Sequence, residues 1–154
     1  YSLFVNKLMI MDLVSYQQDF YGWTQEQAQL LKAQKFQLID WQNLAEEIED
    51  MGRSEKRQLE SRLEVLIMHL LKWQFQSSLQ SRSWELTIKE QRLRIKKLLS
   101  ENPSLKPTLA EVIEKVYPFA IINAEKETGL SSFPETCPYS LTEILSLEFF
   151  PESC

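Results

Sequence analysis

The sequence predicts an all-α fold, an up-and-down bundle of about five helices followed by a short C-terminal helix. Three observations predict it. Apolar residues recur at three- and four-residue steps over long stretches. Capping residues and stop signals bracket those stretches. No window alternates apolar and polar residues between hairpin turns. The chain's 154 residues suit one ordinary domain that buries its own core. The expected organisation is an N-terminal extension over 1–15 and a single bundle over 16–154.

The extension reads YSLFVNKLMIMDLV. It lacks a basic leading segment and a small-residue cleavage site, so it makes a poor signal peptide. Met9 or Met11 is a plausible start. The first helix is expected from Tyr16 or Thr24 to Ala33. Thr24 and Gln27 have capping-box spacing, and Leu30 and Leu31 are expected to face inward. Gly22, set among Phe20, Tyr21 and Trp23, weakens a helix by about 1 kcal/mol relative to alanine.

A second helix opens at Asp40, a good N-cap, with Trp41, Leu44, Ile48 and Met51 on one inward stripe. Gly52 is expected to end it in a left-handed cap. The third helix, from Ser54 to Gln76, carries Leu59, Leu63, Leu66, Leu70 and Trp73 in a near-heptad line, widened by Val65, Ile67 and Leu71. It is expected to be the central helix.

The polar hinge SLQSRSW follows, with Ser83 as the expected cap of the fourth helix. That helix turns Trp84, Ile88, Ile95, Leu98 and Leu99 inward and Leu86 and Leu93 outward, and Asn102 with Pro103 stops it. The fifth helix starts at Pro107 and Thr108, with a box from Thr108 to Glu111 and a stripe of Leu109, Val112, Ile113, Val116 and Ala120. Pro118 inside it predicts a kink or a break near Tyr117. Gly129 stops it, and Ser140 with Glu143 opens the last short helix.

A formal net charge of −5 disfavours nucleic-acid binding through bulk electrostatics, which needs Lys and Arg to replace counterions along phosphates. The basic stretch Lys89, Arg92, Arg94, Lys96 and Lys97 spreads around the fourth helix, interleaved with Glu85 and Glu90, and reads as an exposed face with local ion pairs. Nucleic-acid association through that helix is the weaker alternative. The acidic cluster Glu46, Glu47, Glu49 and Asp50 reads as a solvated face. Glu47 alone sits at the rim of the stripe, where a carboxylate needs a partner; Arg82 or Lys72 is the expected cation.

His69 is the only histidine. The residues before it, Val65 and Leu66, do not supply the Glu-x-x-His pattern of carboxylate metal bundles, so no metal and no cofactor is expected. No Gly-x-Ser-x-Gly turn presents a nucleophile. Cys137 and Cys154 match neither a disulfide framework nor a zinc site, which suggests free thiols in a reducing cytoplasm. No apolar run of about 18 residues spans a bilayer. The candidate pocket comprises Glu47, His69, Trp73, Arg82 and Trp84, with Arg82 recognising an anion. Leu86 and Leu93 mark a candidate homodimer contact.

The ordered series DFYGWTQEQAQLL, LAEEIEDMGRSEKRQLESRL, HLLKWQFQ, SRSW, PSL, ETGL and FPETCPYSLTEIL resembles the bacterial, largely cyanobacterial family known as domain of unknown function 29. The resemblance runs from Tyr16 to Glu152. It implies an all-helical up-and-down bundle with no assigned activity, and it places Glu46, Glu47, Glu49, His69, Trp73, Arg82 and Trp84 within the stretches that identify the family. Pro118 and the extension before Tyr16 depart from the family pattern. The function expected is that of a small cytoplasmic protein acting through contacts with a protein partner. An enzyme or ligand binder using Glu47, His69 and Arg82 is the alternative.

Overall fold

A computed structural model describes residues 13–154. The expected extension therefore lies outside the described residues for all but its last three positions. Among the described residues the fold is all-α, with no strand: α1 (Phe20–Lys32), α2 (Trp41–Phe75), α3 (Arg82–Glu101), α4 (Leu109–Thr128) and the short α5 (Leu141–Leu145), joined in part by 3-10 turns. The chain divides into two compact units, Tyr1–Arg53 and Ser54–Cys154, with the boundary inside α2.

In the first unit, α1 starts at Asp19. The Asp19 carboxylate accepts from the Gly22 amide at 2.9 Å, and the Thr24–Gln27 box does not form. Thr24 instead donates its hydroxyl to the Tyr21 carbonyl, and Gln27 is buried with its side-chain oxygen accepting from the Asp40 amide. A Cβ on Gly22 would lie 2.4 Å from an Asp19 carboxylate oxygen, so glycine makes room for the cap. The helix ends with Gln34 in the left-handed region at φ 57°, its amide bonded to Leu31 O and the Lys35 amide to Leu30 O. That is a Schellman ending without glycine. Trp23 and Ile39 are buried in this unit, whereas Leu31 is exposed, contrary to its expected inward setting.

Gly52 does not end a helix. α2 runs through it, because one glycine costs only about 1 kcal/mol and good helix formers follow. Arg53 also reaches back across the glycine to Asp50 and Glu49.

In the second unit, the α2 residues Leu59, Leu63, Leu66, Ile67, Leu70 and Leu71 are fully buried, as the near-heptad line predicts. Ile88, Ile95 and Leu98 of α3 and Val112, Val116, Ala120 and Ala124 of α4 complete this core, while Leu86 and Leu93 face outward. Ser81, not Ser83, caps α3: its Oγ accepts from the Trp84 amide at 3.2 Å, two residues earlier than expected. Asn102 ends α3 by donating to the Leu98 carbonyl.

A 3-10 turn over Pro103–Thr108 leads directly into α4, so Thr108 is already helical and donates to the Leu105 carbonyl instead of forming a box with Glu111. Pro118 does not break α4, which continues to Thr128 and closes on Gly129 at φ 73°. The Ser140–Glu143 capping box forms as expected.

The segment after Gly129 is strapped to the bundle by aromatic and polar contacts. Phe133 meets Phe75 edge-on at 5.5 Å, and Phe150 lies 4.9 Å from Trp73. Tyr117 donates to the Pro134 carbonyl, and Tyr139 donates to the Gln74 side chain at 2.7 Å. Burial raises the pKa of both phenols, that of Tyr117 to about 12, so they remain protonated donors.

Candidate functional site

The expected inward stripe of α2 is the most exposed apolar row in the first unit. Trp41 is 56%, Ile48 60% and Met51 67% exposed, and Leu44 is half-buried. The side of α2 that packs within this unit lies roughly 100° round the helix, at Asn43 and Glu47. Hydrogen bonds fix that side. The Trp23 indole donates to Asp40 at 3.1 Å, Asn43 Nδ2 donates to Asp40 at 2.8 Å, and the Tyr16 hydroxyl donates to Glu47 Oε1 at 2.5 Å.

Tyr16 also meets Trp23 edge-on at 4.8 Å, so the aromatic core of the unit grips polar positions on α2. The hydrogen bond to Glu47 raises the Tyr16 pKa to about 12, with burial and the negative charge of Glu47 adding to it.

Trp41 is exposed but held. Its indole N–H donates to the Phe36 carbonyl at 3.1 Å, and the Phe36 ring lies 6.5 Å away. An indole anchored at its polar end with its face in water loses little rotamer freedom when a partner covers it. Asp40, Glu46, Glu47, Glu49 and Asp50 give this part of the chain a negative balance, with Glu47 at the rim of the stripe, and Arg53 is the one cation among residues 40–53.

The other expected pocket residues lie in the second unit, each engaged locally. Half-buried His69 donates from Nδ1 to the Val65 carbonyl at 2.9 Å, leaving Nε2 as the basic nitrogen, and burial lowers its pKa. Trp73 packs on Phe150, and its carbonyl accepts from Gln80. Arg82 pairs with Glu85 at 3.0 Å on the surface of α3. Trp84 lies under the Lys72 ammonium, 4.5 Å from the ring, while Lys72 also pairs with Glu127. Within its own unit Glu47 has the Tyr16 phenol as partner, a donor that spacing along α2 does not reveal.

Arg92 was expected on the exposed basic face, and the structure corrects this: the residue is 1% exposed. Its guanidinium donates to the carbonyls of Ile144 at 2.8 Å, Phe149 at 2.6 Å and Glu143 at 3.1 Å, and Phe150 lies 5.6 Å away. Burial lowers its pKa to about 10, so it stays charged at neutral pH. Ile88 and Ile95, on either side of it along the inner face of α3, place position 92 inward, which the sequence pattern already contained. Three of the remaining four basic residues form the expected local ion pairs, Lys89 with Glu85, Arg94 with Glu90 and Lys97 with Glu101, and Lys96 is exposed.

No group of three or more His, Cys, Asp or Glu side chains among the described residues is placed to hold a metal. Cys137 and Cys154 are free, and burial raises the Cys137 pKa. No helix among the described residues is long and apolar enough to cross a membrane.

The fold and its polar and aromatic arrangement define a small all-helical bundle protein with an anchored, uncovered apolar row. The chain belongs to the family described as Domain of unknown function DUF29, whose model matches residues 15–150. No curated protein and no solved structure shows significant similarity to it.

Proposed function

We propose that the protein is an interaction module, without catalytic activity or cofactor, that docks a basic amphipathic helix of a protein partner on the stripe Trp41, Leu44, Ile48 and Met51. The observation that carries this reading is the exposure of an apolar row at helical spacing whose leading indole is already oriented by the Phe36 carbonyl. The acidic balance of residues 40–53 favours a partner that bears Lys or Arg beside its apolar face. The two free thiols fit a cytoplasmic setting.

A synthetic helical peptide with leucines at three- and four-residue steps and lysine flanks is a suitable probe, read by tryptophan fluorescence. The reading expects saturable binding that is lost in an Ile48→Lys/Met51→Lys variant and at least tenfold weaker for a glutamate-flanked peptide. Binding unaffected by the double substitution, or none at all, overturns it.

A further inference from the structure

We infer that a second, separate site on the other unit binds the phosphate group of a small molecule, with Arg62 as its anchor. Arg62 of α2 lines two adjoining cavities, of about 420 and 230 Å³, along the groove between α2 and α3. In the larger one it stands with Arg57, Gln58, Ser61 and Gln91, and no carboxylate lines that cavity. In the smaller it stands with Gln58, Arg94, Lys97 and Glu101.

Arg62 differs from the other groove cations in how it is satisfied. Arg94 is neutralised by Glu90 and Lys97 by Glu101. Among the described residues Arg62 has no carboxylate within salt-bridge distance. Its one hydrogen bond runs from Nη1 to the neutral Gln91 side chain at 3.3 Å, and its Nε is buried with no partner.

A guanidinium with a buried N–H left unfilled is a poor structural element. It is also well suited to an oxyanion, which its planar fork binds through two parallel bonds. A buried donor left unsatisfied in a native fold calls for an explanation, and an anion seated against the guanidinium supplies one. Ser61, Gln58 and Gln91 offer neutral hydrogen bonds to the remaining oxygens, and the combined space suits a small phosphorylated molecule.

The neighbouring cations of α3 are paired with carboxylates, and the whole chain carries a net charge of −5. Such a surface provides no continuous track for a nucleic-acid backbone and favours a single local phosphate.

The test is titration of the full chain at constant ionic strength with inorganic phosphate, with AMP, and with a 20-nucleotide DNA strand. Binding is followed by amide chemical shifts of residues 58–62 and 91–97. Saturable binding of phosphate or AMP is expected, with affinity at least tenfold lower in Arg62→Met and an unchanged helical circular dichroism spectrum. Tighter binding of AMP than of phosphate identifies an ester as the occupant, and equal binding identifies free phosphate.

Should Arg62→Met not fold, Arg62→Lys keeps the charge without the fork and is expected to bind at least threefold more weakly. Equal affinity in that variant, binding insensitive to Arg62, or no saturable binding of either small anion overturns the site. DNA binding tighter than that of both small anions overturns the small-molecule assignment.

Discussion

The Nε of Arg92 donates to the carbonyl oxygen of Ile144 at 2.8 Å across 52 positions of sequence. Two further carbonyls, of Glu143 and Phe149, share the same guanidinium, so a single buried side chain satisfies the C-terminal end of α5 and the turn beyond it. Helix carbonyls at that end lack intrahelical partners and carry partial negative charge, which is why a cation without a carboxylate is tolerated there.

Arg92→Met is therefore expected to destabilise the protein by roughly 3 kcal/mol or more, since one buried and two part-buried carbonyls lose their donor. Arg92→Lys is expected to recover little, because a point ammonium cannot reach three acceptors set for a planar fork. Urea denaturation of the two variants checks this, and a loss below about 1 kcal/mol in Arg92→Met would contradict it.

Glycine and left-handed backbone are mismatched in the first unit. Gly52 sits inside α2 with open space around a would-be Cβ, while Gln34 occupies a left-handed position at φ 57°. Gly52→Ala should stabilise the fold by about 0.5–1 kcal/mol through the loss of unfolded-state freedom. Gln34→Gly should also stabilise it, by about 1 kcal/mol, through relief of left-handed strain. Thermal melts read both. A lower melting temperature for Gly52→Ala would mean that Gly52 ends a helix after all.

His69 makes stability depend on pH in a defined direction. Its folded pKa lies below the unfolded value near 6.5, so the unfolded chain takes up the proton first. The contribution of a neutral, buried His69 is complete above that value and is lost as pH falls below it. Melting temperature should drop between pH 7.5 and pH 5.5, and the drop should be smaller in His69→Gln. Identical pH profiles for the two proteins would remove His69 from this role.

Periodicity made the second unit legible where one face of each helix meets one core. The lines Leu59–Leu63–Leu66–Leu70 and Ile88–Ile95–Leu98 are buried as their spacing predicts. It misled in the first unit. There α2 is held through Asp40 and Glu47 by the polar edges of Trp23 and Tyr16, so hydrogen bonds set its facing and the apolar row is left outside.

Local capping rules worked where a helix starts freely, as at Ser140. They failed at Thr24 and Thr108, where Asp19 begins the helix earlier or a 3-10 turn feeds into it. Of the candidate site residues, the sequence marked Glu47 as needing a partner but not Tyr16 as the one it finds. Arg92 was hidden by its membership of a charged run, although its place between Ile88 and Ile95 marks the inner face.

The central claim, that the row from Trp41 to Met51 contributes to recognition and not to the core, is tested most directly by urea unfolding of Ile48→Lys/Met51→Lys in isolation. An exposed row predicts stability within about 0.5 kcal/mol of the parent. A loss of more than about 2 kcal/mol would show that these side chains are buried in the folded protein and would contradict the account.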